Sequence, residues 1–125
     1  MTTKVESLKS VRCEVMRSKK IGNNTFEVVY TDGSRAIRLH KTDIVTFIDG
    51  VIILDTNGWE TVTTKARMND YIPTSLAHVY QSKHIWYVTT ANDGDILYYD
   101  GIKLDYNGNH ITYDQHDNLV NGGSL

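Results

Sequence analysis

The single proline of this 125-residue chain, Pro73, closes the one stretch in which a helix can form. That stretch runs from Gly58 and reads Gly-Trp-Glu-Thr-Val-Thr-Thr-Lys-Ala-Arg-Met-Asn-Asp-Tyr-Ile-Pro. Pro73 drives Ile72 out of the α region, so a helix must stop there. At the other end a threonine hydroxyl can accept from the free N–H groups of a first turn. Thr63 is the expected cap, giving a helix over residues 64–71. Two turns do not hold together alone in water. Packing must support them, and Ala66, Met68, Tyr71 and Ile72 offer apolar surface, with Trp59 and Val62 leading in.

The rest of the chain alternates short apolar runs with turn dipeptides. Residues 11–17 read as a first strand, with Val11, Cys13 and Val15 on one side, and residues 18–24 as a loop. Asp32-Gly33 reads as a two-residue hairpin turn that pairs Tyr30 with Arg35, Val28 with Ile37, Phe26 with Leu39 and Glu27 with Arg38. Asp49-Gly50 makes a second hairpin, pairing Phe47 with Ile52 and Val45 with Leu54. Ile44, Ile48, Val51 and Ile53 take its other face, so this hairpin should be central and covered on both sides, once by the helix. Ser82-Lys83 would pair Val79 with Trp86, and Ala91 to Gly94 turn the chain again. Residues 96–113 then read as a meander that places Leu97, Tyr99, Ile102, Leu104, Ile111 and Tyr113 on one face.

The fold class that follows is mainly β (α+β). It is an antiparallel meander or curled sheet of about eight short strands, in one or two layers, with one short helix. The chain is expected to form a single domain, with residues 1–10 and 114–125 loose. Asp49 to Gly58 and Asp100 to Gly108 echo one another, as a duplicated hairpin or as recurrent turn chemistry would make them.

Charge narrows the partners. The net charge of −2 supplies no global field to attract nucleic acid. Its distribution is uneven: seven of the thirteen cations lie in the first 35 residues, while residues 92–125 hold six aspartates and one lysine. Such a dipolar layout, with eight tyrosines, suits an oriented protein interface. Cys13 is the sole cysteine, so no internal disulfide forms, and a cytoplasmic setting is expected. No segment approaches membrane-spanning length, and no membrane partner is expected.

The usual catalytic motifs do not occur: there is no nucleophile elbow, phosphate loop or paired-cysteine metal site. His110, Asp114, His116 and Asp117 cluster in sequence but read as solvated chain-end residues. Asp105 to Asn109 begins like a calcium loop, yet its glycine is misplaced and His116 stands where the bidentate glutamate belongs. No catalytic residue, metal or cofactor is expected. The helix start is different. Free N–H groups, the hydroxyls of Thr61, Thr63 and Thr64, and the cations Lys65 and Arg67 meet near one point that suits an anion or a partner. His40, Trp59 and Asn69 complete the expected binding set. The plainer reading is that the threonines cap, the cations are solvated and Trp59 fills the core.

The run His40-Lys41-Thr42-Asp43-Ile44-Val45-Thr46-Phe47, with Gly58 to Asn69, resembles a small-protein family of phages and some bacteria. Its pattern is Gly-Trp-x-Thr-x-Thr-Thr-Lys-x-Arg-Met-Asn, followed by an aromatic strand, here Ile85-Trp86-Tyr87-Val88, and then Asp100-Gly101-Ile102. The similarity covers about residues 25–105. It implies an accessory protein of a virus or mobile element and carries over no catalytic residue. The expected function is non-enzymatic: binding and modulating a host or phage protein, as in inhibition of a defence system such as CRISPR. Nucleic-acid or nucleotide binding at the basic helix start, with Trp59 or Trp86 stacking on bases, is the alternative. Unpaired sheet edges make a homo-oligomer conceivable.

Overall fold

The computed structural model describes residues 14–112. The expected strand at residues 11–13, the environment of Cys13, the place of Tyr113 and the loose termini lie outside the described residues. Within them the chain forms ten strands and one helix: β1 (Val15–Gly22), β2 (Thr25–Tyr30), β3 (Arg35–Leu39), β4 (Thr42–Ile48), β5 (Val51–Leu54), α1 (Val62–Tyr71), β6 (Ala77–Ser82), β7 (Ile85–Thr90), β8 (Gly94–Leu97), β9 (Ile102–Asp105) and β10 (His110–Ile111). Every pairing is antiparallel. The mainly β class with one short helix holds.

Two sheets share the strands. One has seven, in the order β1-β2-β3-β4-β5-β9-β10, and the other has three, β6-β7-β8. The main core lies between them. Ile37, Leu39, Ile44, Val45, Ile52, Leu54, Ile102 and Leu104 come from the large sheet, and Val79, Trp86 and Val88 from the small one. Met68 and Ile72 of the helix region complete it. The buried members Thr64, Met68 and Ile72 recur every four residues, which is one helix face. Ala66 and Val62, expected to pack, are exposed instead.

The Asp49-Gly50 hairpin is as expected, with Phe47 opposite Ile52 and Val45 opposite Leu54. Both turn residues are left-handed (φ 51° and 77°), the conformation of a two-residue turn that follows strand twist. It lies centrally, and α1 packs against β4 on one side, but the other face, with Ile48, Val51 and Ile53, is only half-buried and not covered as expected. Ile44 departs from the expected face. A bulge puts Ile37 opposite Val45 but Arg38 opposite Asp43, so Ile44 is the extra residue and is buried in the core beside Val45.

Other registers differ from the sequence reading. At Asp32-Gly33 the turn holds three residues, since Tyr30 N–H donates to Ser34 O at 2.9 Å. The pairing shifts by one: Glu27 faces Ile37, and Phe26 faces Arg38. A slip of one residue also exchanges faces. Glu27 therefore bridges Arg35 at 3.2 Å, and Arg38 reaches Asp43 at 2.7 Å. At β6–β7 the turn is Lys83-His84, so Val79 meets Val88 and Trp86 meets Gln81. That slip is two residues, and Val79 and Trp86 keep the core face.

Residues 18–22, expected as loop, extend β1 up to the turn at Asn23-Asn24. Pairing with β2 fixes them; Ser18, Lys19 and Lys20 are exposed and Ile21 alone packs against the core, so no apolar alternation marks this part of the strand. The expected meander after residue 96 is broken as well. Tyr98 N–H donates to Trp86 O in the small sheet, and Gly101 N–H to Leu54 O in the large one. The chain thus changes sheets within four residues. Leu97 and Tyr99 stay exposed, and Tyr98 enters the core. The two echoing segments end up as neighbours, β5 pairing with β9.

Candidate functional site

Antiparallel hairpins bring alternate turns to the same end of a sheet. The β1–β2 turn, the β3–β4 turn and the exit from β5 therefore share one end, where α1 begins. Together they enclose a cleft of about 800 Å³. Asn23 and Asn24 come from the first turn, and His40, Lys41 and Thr42 from the second. Thr56, Asn57 and Trp59 come from the β5–α1 loop, and Thr61, Thr63, Thr64 and Arg67 from the helix. Leu39 and Ile44 supply its apolar lining.

Each wall is tied to another. His40 N–H donates to Asn24 O at 2.8 Å, joining the two turns. Arg67 Nε donates to Thr25 Oγ1 at 3.1 Å, and that hydroxyl donates to Asn23 O at 2.7 Å. The β5–α1 loop rests on Asp100, whose carboxylate accepts from Thr56 N–H, the Thr56 hydroxyl, Gly58 N–H and the Tyr98 hydroxyl. Burial alone would raise the Asp100 pKa. Those hydrogen bonds outweigh it and hold the carboxyl below its ordinary value. Asn24, His40 and Asn57, at φ of 53°, 56° and 52°, are left-handed non-glycine residues, and all three border the cleft. Such backbone is costly without glycine and is held here by the surrounding hydrogen bonds.

The helix cap is Thr61, not Thr63 as expected. Its Oγ1 accepts from Thr64 N–H at 3.1 Å, and the two hydroxyls lie 3.0 Å apart. Starting the helix at Val62 brings Thr64, Met68 and Ile72 onto the core, a choice that the repeated threonines leave open. No acidic side chain occupies the first turn. The ionisable side chains lining the cleft are His40, Lys41 and Arg67, all basic. His40 and Lys41 make no ion pair among the described residues.

Of the expected binding set, His40, Trp59, Thr61, Thr63, Thr64 and Arg67 line this one cleft. Lys65 and Asn69 do not. Lys65 Nζ bonds Gln81 at 3.0 Å and lies 5.4 Å from the Trp86 ring centroid. Asn69 closes two hydrogen bonds of 2.8 Å with the backbone of Val79, so it occupies the edge of β6 as a neighbouring strand would. Trp86 is 5 % exposed and cannot stack on a base. Trp59, at 68 %, is not a core residue. Asn23, Asn24, Asn57, Lys41, Thr42 and Thr56 are outside the expected set; the parity of the hairpin turns is the signal that points to them.

A second charged cluster lies on the β2–β4 strands. Asp43 accepts from Arg38 Nε and from the Tyr30 hydroxyl, and Arg38 Nη2 also bonds that hydroxyl at 2.8 Å. Burial and the adjoining Asp43 push the Tyr30 pKa up to about 12. Its charges satisfy one another. Among the described residues no group of three histidine, cysteine, aspartate or glutamate side chains is placed to hold a metal. None of their helices is long and apolar enough to cross a membrane.

A family model described as Kyanoviridae Gp96 protein matches residues 6–110. No curated protein and no solved structure matches the chain.

Proposed function

The chain belongs to the Kyanoviridae Gp96 family, a phage protein family, and from that premise we propose that it is a non-enzymatic accessory protein that binds and modulates a host protein. Inhibition of a defence system such as CRISPR is the specific form this would take. The observation that carries the reading is the corner where the β5–α1 loop meets the helix. Trp59 and Val62, 68 % and 75 % exposed, are the most exposed of the large apolar side chains among the described residues. An outward tryptophan on well-anchored backbone is the kind of residue that dominates interface energies. The dipolar charge layout would orient such a partner.

The experiment is affinity capture from infected-cell lysate, with and without nuclease, using the wild type and Trp59→Ala/Val62→Ala. A protein retained by the wild type, resistant to nuclease and lost with the double variant is the expected result. Equal recovery by both proteins, or recovery of none, sinks the reading.

A second reading, nucleotide or nucleic-acid binding, is favoured by one observation: every ionisable side chain lining the cleft is basic in a chain of net charge −2. Cations gathered against the overall charge suit an anion.

A further inference from the structure

We infer that the cleft is a binding site for one phosphorylated nucleoside, with the phosphate on Arg67, Lys41 and the Thr63 hydroxyl and the base against Trp59. The inference rests on the nucleotide reading above and shares only Trp59 with the protein-partner reading. Its first support is size. About 800 Å³ lies within the range of small-ligand sites, roughly 300–1,000 Å³. The second is chemistry. The lining combines basic side chains with threonine hydroxyls and asparagine amides, and it contains no carboxylate to repel a phosphate.

Arg67 is arranged for such a role. Its Nε is spent on Thr25, and its Nη1 contact with Asp70 is long at 3.5 Å, leaving Nη2 without a partner among the described residues. Thr63 stands four residues earlier, on the same side of the helix. An arginine fixed by one nitrogen and open at another loses little freedom on gripping an anion. Trp59 provides an exposed π-face at the rim, and Leu39 and Ile44 an apolar lining. The hydrogen bonds from His40 N–H to Asn24 O and from Arg67 Nε through Thr25 to Asn23 O tie the walls together before any ligand arrives.

A polymer fits less well. Single-stranded nucleic acid is bound along a charged groove with successive aromatic platforms. Here the cleft offers one aromatic side chain, Trp59, and the other tryptophan is buried.

The test is isothermal titration calorimetry of the full chain with AMP, GMP, CMP and UMP. The matching nucleosides, inorganic phosphate and a single-stranded RNA oligonucleotide are titrated alongside. At least one monophosphate is expected to bind about tenfold or more tightly than its nucleoside or phosphate alone. Lys41→Ala and Trp59→Ala, which replace exposed side chains, should each weaken that binding about tenfold. Affinity unchanged by both substitutions overturns the site. RNA bound more tightly than every monophosphate overturns the inference while the nucleic-acid reading stands. No binding by any probe at millimolar concentration overturns both. Lys41→Ala separates this site from the protein-partner reading, because it leaves the Trp59–Val62 corner intact, whereas Trp59→Ala affects both.

Discussion

At Gly108 the conformation and the space both exclude a side chain. Its φ is +87°, and a Cβ built there would lie 2.6 Å from the Ala91 Cβ. Gly108 O also accepts from Asn92 N–H, so this contact joins the turn after β7 to the turn after β9. Gly108→Ala should cost about 1–3 kcal/mol in urea unfolding. Adding Ala91→Gly should recover the steric part and leave the backbone part. Asp100 makes a different kind of prediction. Its folded pKa is lower than the unfolded value near 3.8. The stability it contributes is therefore complete above that value and is lost as pH falls through the lower, folded pKa. The urea midpoint of the wild type should decline below about pH 4, and that of Asp100→Asn should decline less steeply. Parallel declines would mean that Asp100 does not carry the effect. Neither residue's role could be read from its neighbours in sequence, because Ala91 and Thr56 come from distant turns.

The helix illustrates what an element reveals and what it conceals. Its existence and its end at Pro73 follow from local chemistry, yet its start does not. Three threonines in four positions offer equivalent caps. Thr61→Ala should lower stability by roughly 1 kcal/mol, whereas Thr63→Ala, with its exposed side chain, should stay within about 0.5 kcal/mol. Equal effects in thermal unfolding would contradict the observed cap. Hairpins behave in the same way. Asp49-Gly50 was legible because both residues take the left-handed form and both strands are apolar. Asp32-Gly33, with the same two letters, closes a three-residue turn whose Gly33 alone of the pair is left-handed, at φ +88°. The dipeptide signals a turn but does not count its residues. Asn69 belongs here too: by holding the backbone of Val79 it protects an edge, so its place beside a basic motif says nothing of binding.

Across the whole molecule, the two sheets place one tryptophan inside and the other out. Acrylamide quenching should find one accessible and one shielded population in the wild type. Trp59→Ala should leave only shielded emission, with unfolding free energy changed by no more than about 0.5 kcal/mol. A single shielded population in the wild type, or a large loss of stability in the variant, would refute the exposed position of Trp59. The cleft exists only at this scale. Its walls come from three connections and a helix start spread between Asn23 and Arg67.

The sequence by itself determined the class of fold, most of the turns, the central hairpin and most of the basic and hydroxyl groups that meet at the helix start. These depend on periods of two and on dipeptides whose backbone preference is intrinsic. Only the tertiary structure decided the division into two sheets, the register of three strand pairs, and the roles of Lys65, Asn69 and Trp86. The reason is physical. A strand's partner, a helix's first residue and the side chain that an arginine grips are choices among locally equal options. Burial of the shared core, with every polar group beside it satisfied, selects one.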